Sequence, residues 1–265
     1  MTDAILFSVD EGLARLTLNR PARLNSFNAD LAHAWRDATT EATTRDDVKA
    51  ILLDAAGPAF CAGGDVIEMA STMHDGSPLT ELAGVINTGI RALTESAVPV
   101  VAAAHGTTAG GGLGILLSTD YAVIGASSRI GSLYANIGLT PDLSVSAQLA
   151  DAVGRRRALQ LVLQDRLLTA EEALEWGLVA EVVTGADAAA EADLVRARAE
   201  EVARFWLAGA AGAYGEAKRL VRSQPGRTFA EQLAEEARSI GASFDTEDAK
   251  ARVAAFAAAS TKKPR

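Results

Sequence analysis

An α/β fold with a largely parallel sheet, followed by a helical C-terminal region, is predicted by three observations on this 265-residue chain. Apolar runs of strand length alternate with helical stretches through the first two thirds. Two of those runs end in glycine-rich turns that open helices, FCAGGD at Phe60 to Asp65 and TAGGGLG at Thr108 to Gly114. From Asp187 onward Ala, Glu and Arg recur at helical spacing with almost no turn residues. The expected division is a core over 1–185 and a helical region over 186–265.

The elements follow in order. Residues 5–9 and 13–18 alternate apolar and polar around Asp10-Glu11-Gly12 and read as a β-hairpin. Asn28 caps a helix reaching about Arg45, and 48–55 is a buried strand. A helix over 79–96 ends before Pro99, and 98–104 is a second buried strand. The second glycine turn opens a helix over 111–118, and 121–124 is a strand. After Gly154 come a helix over 155–163, a helix over 169–176 with a Thr169/Glu172 capping box and a stop at Gly177, and a short strand over 178–183. The apolar faces of the region from Asp187 to Ala259 need a partner, and a second subunit is the expected one. The closing TKKPR is expected to be solvent-facing.

Composition excludes several classes of function. A formal charge of −9 argues against a nucleic-acid partner, because phosphate backbones are held by clustered Lys and Arg. The single cysteine, Cys61, rules out an internal disulfide framework and any cysteine-rich zinc site. His33, His74 and His105 have no metal-ligand spacing, so no metal is expected. No run has the unbroken apolar length of a membrane span and the first residues do not resemble a secretory signal, so a cytoplasmic protein is expected.

The chemistry lies in the two glycine turns. Glycine lets the main chain approach a ligand closely, and the first N–H groups of a helix have no internal partner. Two such turns can aim two amides at one oxygen, which is how a developing oxyanion is stabilised. A dinucleotide-binding G-x-G-x-x-G would need glycine at position 115, where Ile115 stands.

With both turns placed, the chain resembles the crotonase superfamily of enoyl-CoA hydratases and isomerases. LNRPARLNSFN (Leu18 to Asn28), FCAGGD, AAAHGTTAGGGLG, IGLTPD (Ile137 to Asp142) and LTAEEALEWGLV (Leu168 to Val179) fall in that family's order and spacing. The resemblance implies a crotonase (ClpP-like) spiral of ββα units, a C-terminal trimerisation region, and a homotrimer or dimer of trimers. It implies an acyl-CoA thioester as substrate, with coenzyme A entering as part of that substrate and no separate cofactor. Carried over by position, the two amides belong to Gly64 and Gly111. Arg23 and Leu24 fall where the family meets the CoA nucleotide, and Ala62 and Asp65 where it borders the adenine pocket. Phe256 with Lys262 or Lys263 resembles the aromatic and basic pair that a neighbouring subunit offers to CoA.

The family's hydratases hold water between two glutamates, and here Gly114 and Tyr134 occupy those positions. Glycine transfers no proton, and an ordinary phenol is a poor base at neutral pH. Asp142 stands where family members that shift double bonds, of the ring-1,2-epoxyphenylacetyl-CoA isomerase type, carry an aspartate. The resemblance therefore implies a 3-enoyl-CoA to 2-enoyl-CoA isomerase with Asp142 as the base. The alternatives are a hydratase despite the two missing glutamates and a low-turnover CoA-thioester binding protein. Tyr134 is expected either to line the acyl pocket or to orient Asp142, and His105, Asp120 and Cys61 are expected to be structural.

Overall fold

The computed structural model describes residues 3–164 and 166–261. A hairpin of β1 (Ile5–Asp10) and β2 (Leu13–Leu18) opens the chain, and α1 (Ala29–Thr44) leads to β3 (Ala50–Ala55). After it come α2 (Val66–Thr72), α3 (Ser77–Glu95), β4 (Val100–Ala104), β5 (Thr107–Ala109) and α4 (Gly111–Leu117). The core closes with β6 (Tyr121–Gly125), β7 (Arg129–Gly131), α5 (Val145–Val162), β8 (Leu168–Thr169), α6 (Ala170–Glu175) and β9 (Glu181–Val183).

A six-stranded sheet has the order β1-β2-β3-β4-β6-β9, parallel throughout except for the β1–β2 hairpin. A smaller sheet, β5-β7-β8, lies beside it, and an isolated bridge from Cys61 to Thr108 adds the first glycine turn to its edge. Each turn of the chain thus contributes a strand to the large sheet, a short strand or bridge to the small one, and then a helix. β3–Cys61–α2, β4–β5–α4 and β6–β7–α5 repeat that unit, which is the ββα spiral that the crotonase resemblance implied.

β3 is buried on both faces, and its side chains alternate between two apolar layers. Ile51 and Leu53 join Leu31, Trp35, Ile90 and Leu93 of α1 and α3. Ala50 and Leu52 face Val195, Ala199 and Ala203 of α7 (Ala188–Ala208). Trp35 donates from its ring nitrogen to the Ile86 carbonyl at 3.1 Å and fills the space left by Gly89, where a β-carbon would stand 2.2 Å from that nitrogen.

Among the described residues the C-terminal region is made of four α-helices, α7, α8 (Ala211–Ser223), α9 (Phe229–Phe244) and α10 (Glu247–Thr261), as the helical spacing predicted. Phe229, Ile240 and Phe256 are exposed on it. Three differences from the sequence expectation have local causes. The helix expected to begin at 155 is preceded by a second helical segment joined to it through Gly154, whose φ of +77° breaks the run without ending it. α2 is a short helix whose start is set by the Asp65 carboxylate capping the Glu68 N–H. β5, β7 and β8 are two or three residues each, too short for an alternating pattern to register. Among the described residues no helix is long and apolar enough to cross a membrane, and no cluster of three or more metal-binding side chains is present.

Candidate active site

The two glycine turns are laced together along their backbones. Cys61 N–H donates to the Thr107 carbonyl at 3.2 Å and Ala109 N–H to the Cys61 carbonyl at 3.0 Å. A β-carbon on Gly112 would stand 2.1 Å from that same carbonyl, and one on Gly63, whose φ is +108°, would stand 3.3 Å from the Gly111 nitrogen. Only glycine permits this approach.

The lacing sets the direction of the two amides. Phe27 pairs with Gly64 in a parallel bridge, donating to the Gly63 carbonyl at 2.7 Å and accepting from Asp65 N–H at 2.9 Å. In that pattern the N–H of Gly64 points away from Phe27. Gly111 is the first residue of α4, so its N–H has no acceptor within the helix. Among the described residues neither N–H has a protein acceptor, and the Gly63–Gly64 peptide lies against Gly111.

Asp142 is half-buried in the loop before α5. It accepts a hydrogen bond of 2.6 Å from the hydroxyl of buried Tyr134. Burial pushes its carboxyl above the ordinary range, while the Tyr134 hydrogen bond pulls the other way. The same burial, together with the facing carboxylate, raises the Tyr134 phenol, so it acts as a neutral donor. Backbone strain brackets the pair: Leu133 has φ +53°, Leu143 +48° and Ser144 +66°, all in the left-handed region that side chains avoid.

Leu143 joins this loop to the glycine turns. Its side chain packs on Gly111 and its carbonyl on Gly114, where a β-carbon would stand 2.2 Å from the oxygen. Through Leu143, the Tyr134–Asp142 pair is joined to the turn that carries Gly111, against which the Gly63–Gly64 peptide lies.

Arg23, Leu24, Ala62 and Asp65 also come together. Ala62 N–H donates to the Leu24 carbonyl at 3.0 Å, and Leu24, with φ +50°, is exposed. Asp65 is buried and accepts from Arg20 at 3.1 Å, with the Arg23 guanidinium at 3.9 Å from the same oxygen. Burial works against the Asp65 carboxylate, but the Glu68 N–H and the two arginines hold it below its ordinary value. Phe256 is 77% exposed on α10. Lys262, like Lys263, lies outside the described residues.

Three contributors were not singled out from the sequence. Asn25 is fully buried with φ +54°, and its amide ties the Ala56 and Ala59 carbonyls to the Arg20 N–H. Met69, five residues past Gly64, lies against it and lines a cavity of about 370 Å³ with Phe27, Met73, Leu82 and Val85. Leu143 is the third. An Asn at a turn is a readable signal, whereas the positions of Met69 and Leu143 depend on which helices meet. The residues expected to be structural are so placed: Cys61 is buried with its thiol pushed up to about 12 by burial, and His105 Nε2 lies 2.7 Å from the Gly57 carbonyl. Asp120 accepts from Val100 N–H, Lys218 and Arg222.

Comparison with known proteins shows the family. Residues 8–263 match the family model described as enoyl-CoA hydratase/isomerase. The chain is 36% identical over 180 residues to the trans-2-decenoyl-[acyl-carrier-protein] isomerase of Streptococcus mutans, covering 67% of this chain and 68% of that one. It is 35% identical over 188 residues to the 1,2-epoxyphenylacetyl-CoA isomerase of Escherichia coli, covering 69% and 71%. The crystal structure of an enoyl-CoA hydratase from Mycobacterium smegmatis superposes with a TM-score of 0.86 at 26% identity, covering 99% and 98%.

Proposed function

Because this chain is a crotonase-fold member of the enoyl-CoA hydratase/isomerase family, we propose that it isomerises a 3-enoyl-CoA to the 2-enoyl-CoA with Asp142 as its single mobile base. The carboxylate of Asp142 takes a proton from the α-carbon, and the electron pair of that C–H bond spreads into a dienolate. The negative charge on the thioester oxygen is held by the N–H groups of Gly64 and Gly111, each worth about 3–4 kcal/mol in the transition state. Asp142, now protonated, returns the proton to the γ-carbon, where the dienolate supplies the electrons of the new C–H bond. No water enters and no group beyond the thioester itself is required. Arg23, Leu24, Ala62 and Asp65 form the edge where the CoA nucleotide would lie, and the cavity beside Met69 would take the acyl tail.

The observation that carries this reading is what became of the two positions where the family's hydratases hold water. Gly114 is covered by the Leu143 carbonyl, and Tyr134 donates its hydroxyl to Asp142. Both now serve the setting of one carboxylate, and burial makes that carboxylate more basic than an exposed one. Relatives named as isomerases agree with this reading, and relatives named as probable enoyl-CoA hydratases stand beside them, so the choice rests on the residues.

A homotrimer, or a dimer of trimers, accounts for the exposed phenylalanines of α9 and α10, with Phe256 reaching a neighbour's site. The deciding experiment for the reaction offers purified protein a 3-enoyl-CoA and, separately, crotonyl-CoA, and follows conjugation by absorbance. Gain of absorbance with the first and none lost with the second is the expected result. Rapid hydration of crotonyl-CoA defeats the reading.

A further inference from the structure

Ser144 begins α5 in an unusual way. A serine at this position ordinarily turns its hydroxyl onto the helix's free N–H groups, but Ser144 has φ +66° and makes no such cap. Its hydroxyl instead accepts a 2.5 Å hydrogen bond from the Gln148 side chain. The orientation of that amide is fixed from its other end. Arg222 Nη1 donates to Gln148 Oε1 at 2.7 Å, and a guanidinium offers donors only, so the NH₂ must face Ser144.

Arg222 belongs to α8, in the C-terminal helical region, and is itself held on three sides. Its Nη2 donates to the Thr119 carbonyl at 2.7 Å and its Nε to Asp120 Oδ1 at 3.0 Å. Asp120 in turn binds buried Lys218 at 2.9 Å, and Lys218 donates to the Leu93 and Val98 carbonyls at 2.7 and 2.6 Å. A continuous chain therefore runs from the docking of α8 through Arg222 and Gln148 to Ser144, two residues from Asp142. Between them stands Leu143, also left-handed, whose side chain rests on Gly111. A strained pair of residues keeps its geometry only where the surroundings over-determine it, and this chain is that determinant on the Ser144 side.

We propose that Gln148 and Arg222 are positioning residues for Asp142, through which the seating of the C-terminal helix α8 on the core fixes the reach of the base toward the substrate. This inference rests on the assignment of Asp142 as the base. Neither side chain touches substrate. Their loss lets the 142–144 loop relax toward ordinary backbone angles and moves the carboxylate away from the reacting carbon and from Tyr134.

The test measures 3-enoyl-CoA isomerisation across pH for Gln148→Leu, Arg222→Ala, Asp142→Asn and Arg219→Ala. Arg219 stands on the same helix but pairs with Glu216 and Glu235, so it serves as the control for charge and for helix packing. Gln148→Leu is expected to lower kcat by about tenfold to a hundredfold with KM within twofold, since a displacement near 1 Å has that effect. It is also expected to move the acid limb of the pH profile, while Arg219→Ala leaves that limb in place. Arg222→Ala repeats the Gln148→Leu result if it folds, and Gln148→Leu alone carries the test if it does not. A Gln148→Leu enzyme with wild-type kcat and pH profile beside an inactive Asp142→Asn overturns the positioning role alone. An Arg219→Ala profile shifted as far as that of Gln148→Leu also overturns it, because loosening of the C-terminal helices would then suffice. A fully active Asp142→Asn overturns the base assignment and this role with it.

Discussion

The carbonyl oxygen of Leu143 stands 2.2 Å from the point that a β-carbon on Gly114 would occupy. The loop that carries Asp142 is thus seated against Gly114, the position that by the family resemblance answers to a hydratase glutamate. Gly114→Glu is expected not to create hydration of crotonyl-CoA but to push the 142–144 loop off α4. Isomerisation should be lost and stability should fall by about 3 kcal/mol, as for an overpacked core. Denaturant titration and the crotonyl-CoA assay check the two halves separately.

Asp142→Asn should lower isomerisation by about 10²–10⁴-fold while leaving acyl-CoA affinity largely intact, because only proton transfer is removed. It should also stabilise the fold at neutral pH. The folded carboxyl is raised above its unfolded value by burial, so its contribution to stability is fully present below the ordinary carboxylate range and is lost as pH rises through the raised value. The neutral amide escapes that loss. Denaturation midpoints should therefore favour the variant at neutral pH and converge with wild type on acidification.

Tyr134→Phe removes the hydrogen bond that pulls the Asp142 carboxyl downward, leaving burial unopposed by it. The acid limb of the isomerase pH profile should move to higher pH, with the largest rate loss on the acid side. A limb that moves to lower pH would show that the phenol does not stabilise the carboxylate.

Phe229 and Ile240 are 78% and 73% exposed in the single chain. Replacing both with glutamate should cost the monomer little and shift the mass seen by light scattering from a trimer or hexamer to one chain. A wild-type protein that already runs as a monomer removes the assembly from the proposal.

The legibility of this molecule varies by residue. FCAGGD and TAGGGLG were readable because glycine is required where main chains meet, and Gly63 and Gly112 are at those contacts. Asn28 and Thr169 announced helix starts, since each caps its helix by side-chain oxygen, and Asp187, which marked only the start of the helical composition, caps α7 in the same way. Asp142 was singled out only through the resemblance to the family's isomerases, and its hydrogen bond to Tyr134 was one of two open roles for that tyrosine. Leu143 and Ser144 gave no warning of left-handed backbone, because nothing in a leucine or serine marks it.

The sequence by itself determined the strand and helix periodicities, the two glycine turns and the identity of the groups available for proton transfer, since each of these depends on near neighbours in the chain. The tertiary structure alone decided that Leu143 covers Gly114, that Tyr134 meets Asp142, and that Arg222 reaches Gln148 across 74 positions. Those contacts arise from the way separate ββα turns and a late helix stack. Whether a carboxylate is buried enough to become a useful base depends on that stacking and on no local pattern.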